Sequence, residues 1–163
     1  MSRDEPDVRT TGSVATVAGR FFRSVAADFS SDALAGSSRA GRYSRPDQPT
    51  LYLSASAAGV SAAMIAHRIA SERRQILMFD VHAVNIFDLR VPQALEQVRL
   101  EAGDPFADWQ AAVAAGGEPS SWRARDWIEG TGATGLIDPS RKGPGLWHLV
   151  LFSWNAAGSP SVR

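Results

Sequence analysis

Gly41-Arg42-Tyr43-Ser44-Arg45-Pro46-Asp47-Gln48-Pro49-Thr50-Leu51-Tyr52-Leu53-Ser54, and the small-residue segment ASAAGVSAAMIAH that carries on to His67, decide how this chain is read. Pro46 and Pro49 fix φ and mark a turn. The apolar run at 50–54 predicts a short strand. Ser56 then suits a helix cap, and Val60, Ala63, Met64 and His67 fall on one helix face. Loop, strand and helix follow one another, with polar groups concentrated at the junctions. Sites are often built there, because a rigid strand fixes side chains that flanking loops can surround.

Toward the N-terminus, residues 1–18 are polar and unpatterned and predict a flexible leader. Gly19 to Val25 has aromatic and β-branched content and predicts a first strand, with Arg23 near its end. The small, polar stretch 26–40 predicts a long loop. Beyond the quoted stretch, Gln75 to Val81 is an almost continuous apolar run and predicts a buried strand, and Asn85 to Leu89 a further short one. A helix is expected from Pro92, with Leu95, Val98 and Ala102 on one side. A second is expected from Asp104-Pro105, with Phe106, Trp109 and Val113 inward and Gly116-Gly117 as its stop. Pro119 opens a third, with Trp122 and Trp127 in the core. Strands are predicted around Gly135–Ile137 and over Trp147–Phe152, and a loose tail over 155–163. Strands at both ends with helices grouped between them predict an α+β domain over 19–154.

At 163 residues with 44% apolar content and five Trp, the chain is large enough for one domain with a substantial core. Seventeen basic residues balance seventeen acidic ones, so no overall field draws it to nucleic acid or a membrane surface. The absence of cysteine excludes disulfides, thiolate chemistry and Cys-ligated zinc. No apolar run approaches the ~20 residues of a membrane span, and the start lacks a signal-peptide pattern, so a soluble cytoplasmic protein is expected.

Gly130-Thr131-Gly132-Ala133-Thr134-Gly135 matches G-x-G-x-x-G. That motif binds a pyrophosphate only when it follows a strand and opens a helix. Here it follows a predicted helix and precedes a predicted strand, so it reads as a helix stop. His67, His82 and His148 lack metal-ligand spacing, and packed or partly exposed roles suit them better. There is no G-x-S-x-G elbow. What remains is a set of arginines and hydroxyls at strand ends and loops: Arg23, Arg42, Tyr43, Tyr52, Ser54, Ser140 and Arg141. Singly, each arginine is more readily a surface charge, Arg141 and Lys142 above all. Together they would make an anion pocket, since guanidinium forks match phosphate oxygens and tyrosine rings stack on heterocycles. A pyrophosphate ligand with an aromatic base would suit them.

Phe22-Arg23, Gly41-Arg42-Tyr43-Ser44, Leu51-Tyr52-Leu53-Ser54, Ala66-His67 and Gly135-Leu136-Ile137-Asp138-Pro139-Ser140, followed by Leu149-Val150-Leu151-Phe152, resemble the successive blocks of the RES-domain family, in its order, over roughly residues 20–153. The resemblance implies an ADP-ribosyltransferase-like fold with mixed or antiparallel sheets, which binds NAD as co-substrate and breaks its nicotinamide–ribose bond. ADP-ribose then passes to water, phosphate or a protein side chain. It also implies a toxin held inactive by a cognate antitoxin with a helix-turn-helix part, with a protein target among the acceptors. On that reading Arg23 and Arg42 bind pyrophosphate or ribose, Tyr43 and Tyr52 pack on the nicotinamide side, Ser54 lines the pocket, and Ser140 holds a phosphate or ribose hydroxyl.

The family's Glu usually stands eleven residues beyond the strand Tyr, and counting from Tyr52 reaches Ala63. A carboxylate beside the ribose would stabilise the positive charge that builds as the glycosidic bond breaks, and losing such a group commonly costs about 10² to 10³ in rate. Three explanations stay open: a transferase that works without it, a binding-only relative, or a form disabled so that a toxic protein could be produced. The alternative function is accordingly a catalytically silent nucleotide-binding or protein-interaction module.

Overall fold

The computed structural model describes residues 5–64 and 73–163. Among these residues, seven strands, β1 (Asp7–Thr11), β2 (Val14–Ala26), β3 (Leu51–Ser54), β4 (Arg74–Asp88), β5 (Gly135–Pro139), β6 (Trp147–Leu151) and β7 (Ser161–Val162), are joined with a 3-10 helix (Ala27–Asp32) and four α-helices. These are α1 (Ala57–Met64), α2 (Pro92–Ala102), α3 (Trp109–Ala114) and α4 (Ser120–Gly130). The domain is α+β, and its sheet is mixed: β4 and β5 run parallel while the other pairs are antiparallel.

The sheet order is β1-β2-β3-β6-β5-β4-β7, and β2 also pairs with β4. The pairings therefore form a ring, β2–β3–β6–β5–β4–β2, closed at β2–β3 by one residue pair, Phe22 with Ser54. Alternation along each strand divides the side chains between two cores. Inside the ring lie Val17, Phe21, Leu51, Leu53, Ile86, Ile137, Leu149 and Leu151, with Phe21 edge-on to Trp147 at 5.6 Å. On the other face Phe87, Leu136, Val150 and Phe152 pack under α2 and α4 through Ala94, Val98, Ala124 and Ile128.

Several expectations are corrected. Residues 7–18 of the predicted leader form β1 and the start of β2, a hairpin that continues along β4. The tail predicted as loose contains β7, held by backbone pairing to Val81 and His82 and by the Asn155 amide, which brackets Val162. The strands expected at 75–81 and 85–89 are one strand. Asn85, at φ 58°, absorbs an irregularity opposite Ala15–Val17, a conformation asparagine tolerates. Its first half is not buried: Ile76 and Met78 are 52% and 60% exposed. The second predicted helix begins at Trp109, capped by Asp108, and buries none of its residues. On α4 the core residues are Ala124, Arg125 and Ile128, while Trp122 and Trp127 are half-buried. Gly130–Gly135 is a helix end and strand start as predicted, and a Cβ at Gly135 would run into the Val150 carbonyl oxygen. His67, expected on the face of Val60, lies outside the described residues.

Asp88, 1% exposed, ends β4 and pins this frame. Its oxygens accept from Arg90 Nε and Nη2, both at 2.9 Å, and from the Thr10 hydroxyl at 2.9 Å. Burial alone would raise its pKa, but the Arg90 hydrogen bonds and charge, with Thr10, outweigh it and hold the carboxyl below its ordinary value. A depressed folded-state pKa adds stability above the unfolded value of about 3.9, which is lost as pH falls through the folded value. Asp88→Asn is therefore expected to lower urea stability by about 1–3 kcal/mol at pH 7. The gap to wild type should shrink below pH ~4. An equal deficit at both pH values would show that the charge is not the source.

Candidate active site

Between the C-terminal half of β2, β3, the 37–43 loop, α3 and the 138–142 loop lies a cleft of about 630 Å³. Among the described residues, its lining holds Arg23, Arg39, Arg42, Arg74, Arg141 and Lys142 but only one carboxylate, Asp138. A neutral chain thus carries a strongly cationic concavity, suited to an anion with several negative oxygens.

The Gly41–Ser44 turn forms one wall and is fixed from three sides. Trp122 Nε1 on α4 donates to the Gly41 carbonyl at 2.9 Å, and the Ser121 hydroxyl donates to that of Arg42. Arg125, 3% exposed, donates through Nη1 to the Tyr43 carbonyl at 2.9 Å and the Thr50 hydroxyl at 2.7 Å, and lies 4.6 Å over the Phe152 ring. From β3, the Tyr52 hydroxyl accepts the Tyr43 N–H at 3.1 Å and meets Ser44 Oγ at 2.7 Å. Burial pushes the Tyr52 phenol above its ordinary pKa, so it stays neutral in this role.

Asp138, 4% exposed, is the cleft's fixed carboxylate. It accepts from the Tyr43 hydroxyl at 2.9 Å and from both terminal nitrogens of Arg141, at 2.9 and 3.0 Å. Burial, with Asp138 close by, drives the Tyr43 pKa well up. Arg141 stacks 5.2 Å over Phe106, so the residue read from sequence as a surface charge is built into the wall. Tyr43, by contrast, is fully buried. It lies in the cleft wall, where its hydroxyl braces Asp138.

The other expected residues also line the cleft. Arg42 Nη1 donates to the Pro105 and Ala107 carbonyls at 3.1 and 2.7 Å, which fixes its plane and leaves Nε and Nη2 without a hydrogen bond among the described residues. Burial, then Arg141 nearby, lowers its pKa. Arg23 Nη1 is buried with no hydrogen-bond partner among the described residues, and burial followed by the charge of Arg74 lowers its pKa too. Ser140 Oγ accepts the Gly143 N–H at 3.1 Å, folding the 140–143 turn and leaving its proton to donate. Ser54 Oγ lies 3.0 Å from His148 Nδ1. Position 63 falls in α1, one helical turn beyond Val60, which lines the cleft. Groups of three or more metal-ligating side chains are absent among the described residues.

Asp138 and His148 received no role from sequence. Both stand on strands where every second residue is buried in the ring, so their period-2 position marked them as facing the other way. Arg39 and Arg74 carried no local signal.

The chain is an α+β domain with an arginine-walled cleft suited to an anionic ligand. The RES domain model matches residues 15–163, and the chain belongs to that family. In fold it is similar to a chain in the crystal structure of the M. tuberculosis MbcT–MbcA toxin–antitoxin complex. The TM-score is 0.60 at 22% identity, over 90% of this chain and 81% of that one. No match is found among curated proteins.

Gly41 is required by contact. A Cβ there would stand 2.7 Å from the Tyr52 hydroxyl and 2.9 Å from Ser44 Oγ. Gly41→Ala should displace both hydroxyls and lower stability by about 1–3 kcal/mol in urea denaturation. Gly130→Ala, where a Cβ meets nothing within 4 Å, should not.

Proposed function

We propose that the protein is the toxin of a toxin–antitoxin pair that binds NAD, cleaves its nicotinamide–ribose bond and transfers ADP-ribose to an acceptor. The observation that carries this reading is Arg23 Nη1, a buried nitrogen at the cleft with no hydrogen-bond partner among the described residues. Leaving a buried cation unpaired is costly, and a pyrophosphate would satisfy it with charge-assisted bonds. Family membership supports NAD as the pyrophosphate ligand, and the toxin–antitoxin complex of similar fold supports a cognate antitoxin as partner.

In this scheme Arg23, Arg39 and the unengaged nitrogens of Arg42 hold the phosphates. Tyr52, half-buried, borders the nicotinamide end, and Ser140 donates to a phosphate or ribose oxygen. Bond cleavage is dissociative: the C1′–N electron pair leaves with neutral nicotinamide, and the cleft holds an oxocarbenium-like ribose until the acceptor adds. The second reading, a silent nucleotide-binding module, is favoured by Ala63 alone, which leaves the cleft without the carboxylate that would steady that cation.

Calorimetry should show NAD binding that Arg23→Ala weakens by about 10- to 100-fold, the worth of one charge-assisted phosphate contact. Equal affinity would remove Arg23 from the site, and no binding by either protein would remove NAD. Ala63→Glu should raise NAD breakdown by about 10² or more if the family carboxylate is what is missing. A folded variant with unchanged turnover would favour the silent module. Co-expression with the product of a neighbouring reading frame should yield a complex with reduced NAD turnover. Failure both to co-purify and to restore growth would remove the antitoxin assignment.

A further inference from the structure

One rung of the sheet carries three polar side chains in line. β6 lies between β3 and β5, and His148 is the direct cross-strand partner of both Ser54 and Asp138. Its neighbours Trp147 and Leu149 point into the ring, so alternation turns the imidazole to the opposite face, where it lines the cleft. Ser54 Oγ stands 3.0 Å from Nδ1, while Nε2 has no hydrogen bond among the described residues. The Asp138 oxygens are taken by Tyr43 and Arg141.

We propose, resting on the activity above, that His148 is the general base for the acceptor, oriented by Ser54, and that the acceptor is a neutral hydroxyl, water or an alcohol. Ser54 Oγ accepting Nδ1–H leaves the Nε2 lone pair facing the cleft, and a base must reach its proton in this way. Burial lowers the His148 pKa, Arg141 adds to this, and Asp138 opposes it. Tyr52 on β3 stays neutral, and Arg23, Arg42 and Arg74 line the same cleft and further disfavour a second cation. The imidazole is therefore neutral at neutral pH and free to accept. Phosphate or a carboxylate carries its own anionic lone pair and has no need of a base, whereas a hydroxyl must shed a proton. In the step, the C1′–N bond breaks and its electrons leave with nicotinamide. The acceptor oxygen bonds to C1′, and its proton passes to Nε2, giving an imidazolium whose charge Asp138 offsets.

The test measures NAD turnover by wild type, His148→Asn and Ser54→Ala from about pH 5 to 8, in phosphate and in phosphate-free buffer, with products weighed by mass spectrometry. Wild-type kcat should fall on the acid side with a pKa below the ordinary histidine value of about 6.5. His148→Asn should bind NAD with unchanged affinity, lose about 10²-fold in kcat and lose that acid limb. Ser54→Ala should shift the limb and keep it. The product should be free ADP-ribose or its alcohol adduct in both buffers, and ¹⁵N spectra of the histidine should place the proton on Nδ1. An unchanged rate and profile in His148→Asn, a phosphorylated product, or a proton resident on Nε2 would each overturn the assignment while leaving NAD consumption in place. A wild-type protein that consumes no NAD would overturn both.

Discussion

The cleft depends on the Asp138 carboxylate. It is almost wholly removed from water, and its burial is tolerable only because a tyrosine hydroxyl and a bidentate arginine satisfy it. Each partner belongs to a different wall: Tyr43 to the turn before β3, and Arg141 to the loop after β5. One ionised group on a rigid strand thereby sets the distance between two loops that carry most of the cations. Removing it would leave the buried Tyr43 hydroxyl without its acceptor and Arg141 without its counter-charge, and both walls would lose their register.

The same economy explains why a chain of balanced charge holds so positive a concavity. Arginine guanidinium groups near one another repel, and burial makes each less willing to be charged, as the lowered pKa values of Arg23 and Arg42 record. The repulsion is contained by fixed geometry together with Asp138, which offsets Arg141. Arg42 is fixed on two backbone carbonyls, Arg74 donates to Ser24, and Arg141 also leans on Phe106. Backbone carbonyls hold the Arg42 guanidinium in place without cancelling its charge.

What the sequence disclosed followed from how local each signal was. The strand at 51–54, the Ser56 cap, the helix opened by Pro92 and the inverted context of the glycine-rich segment were legible because each is decided within a few residues. The hairpin of β1 with β2 was missed because its residues are polar and mostly exposed, and only pairing with β4 makes them strands. Arg125 carried no signal in the sequence, because its burial depends on Tyr43 and Thr50, about eighty residues away. Arg23, Arg42, Tyr52, Ser54 and Ser140 line one cleft, and only a resemblance supplied the long-range information that grouped them, which periodicity lacks. His148 was passed over because its meaning lies in the register β3–β6–β5, which no window of sequence contains.

The ring of strands also has a consequence in time. β3 and β5 have no direct pairing with each other, and β6, at residues 147–151, is the strand that joins them. Until that segment has left the ribosome, the sheet is open between Ser54 and Asp138, and the two walls have no common support. A domain whose strands are joined by such distant contacts folds late and all at once. Chains that still lack residues 147–151 would therefore carry no formed cleft, whatever else of the sheet they had already paired.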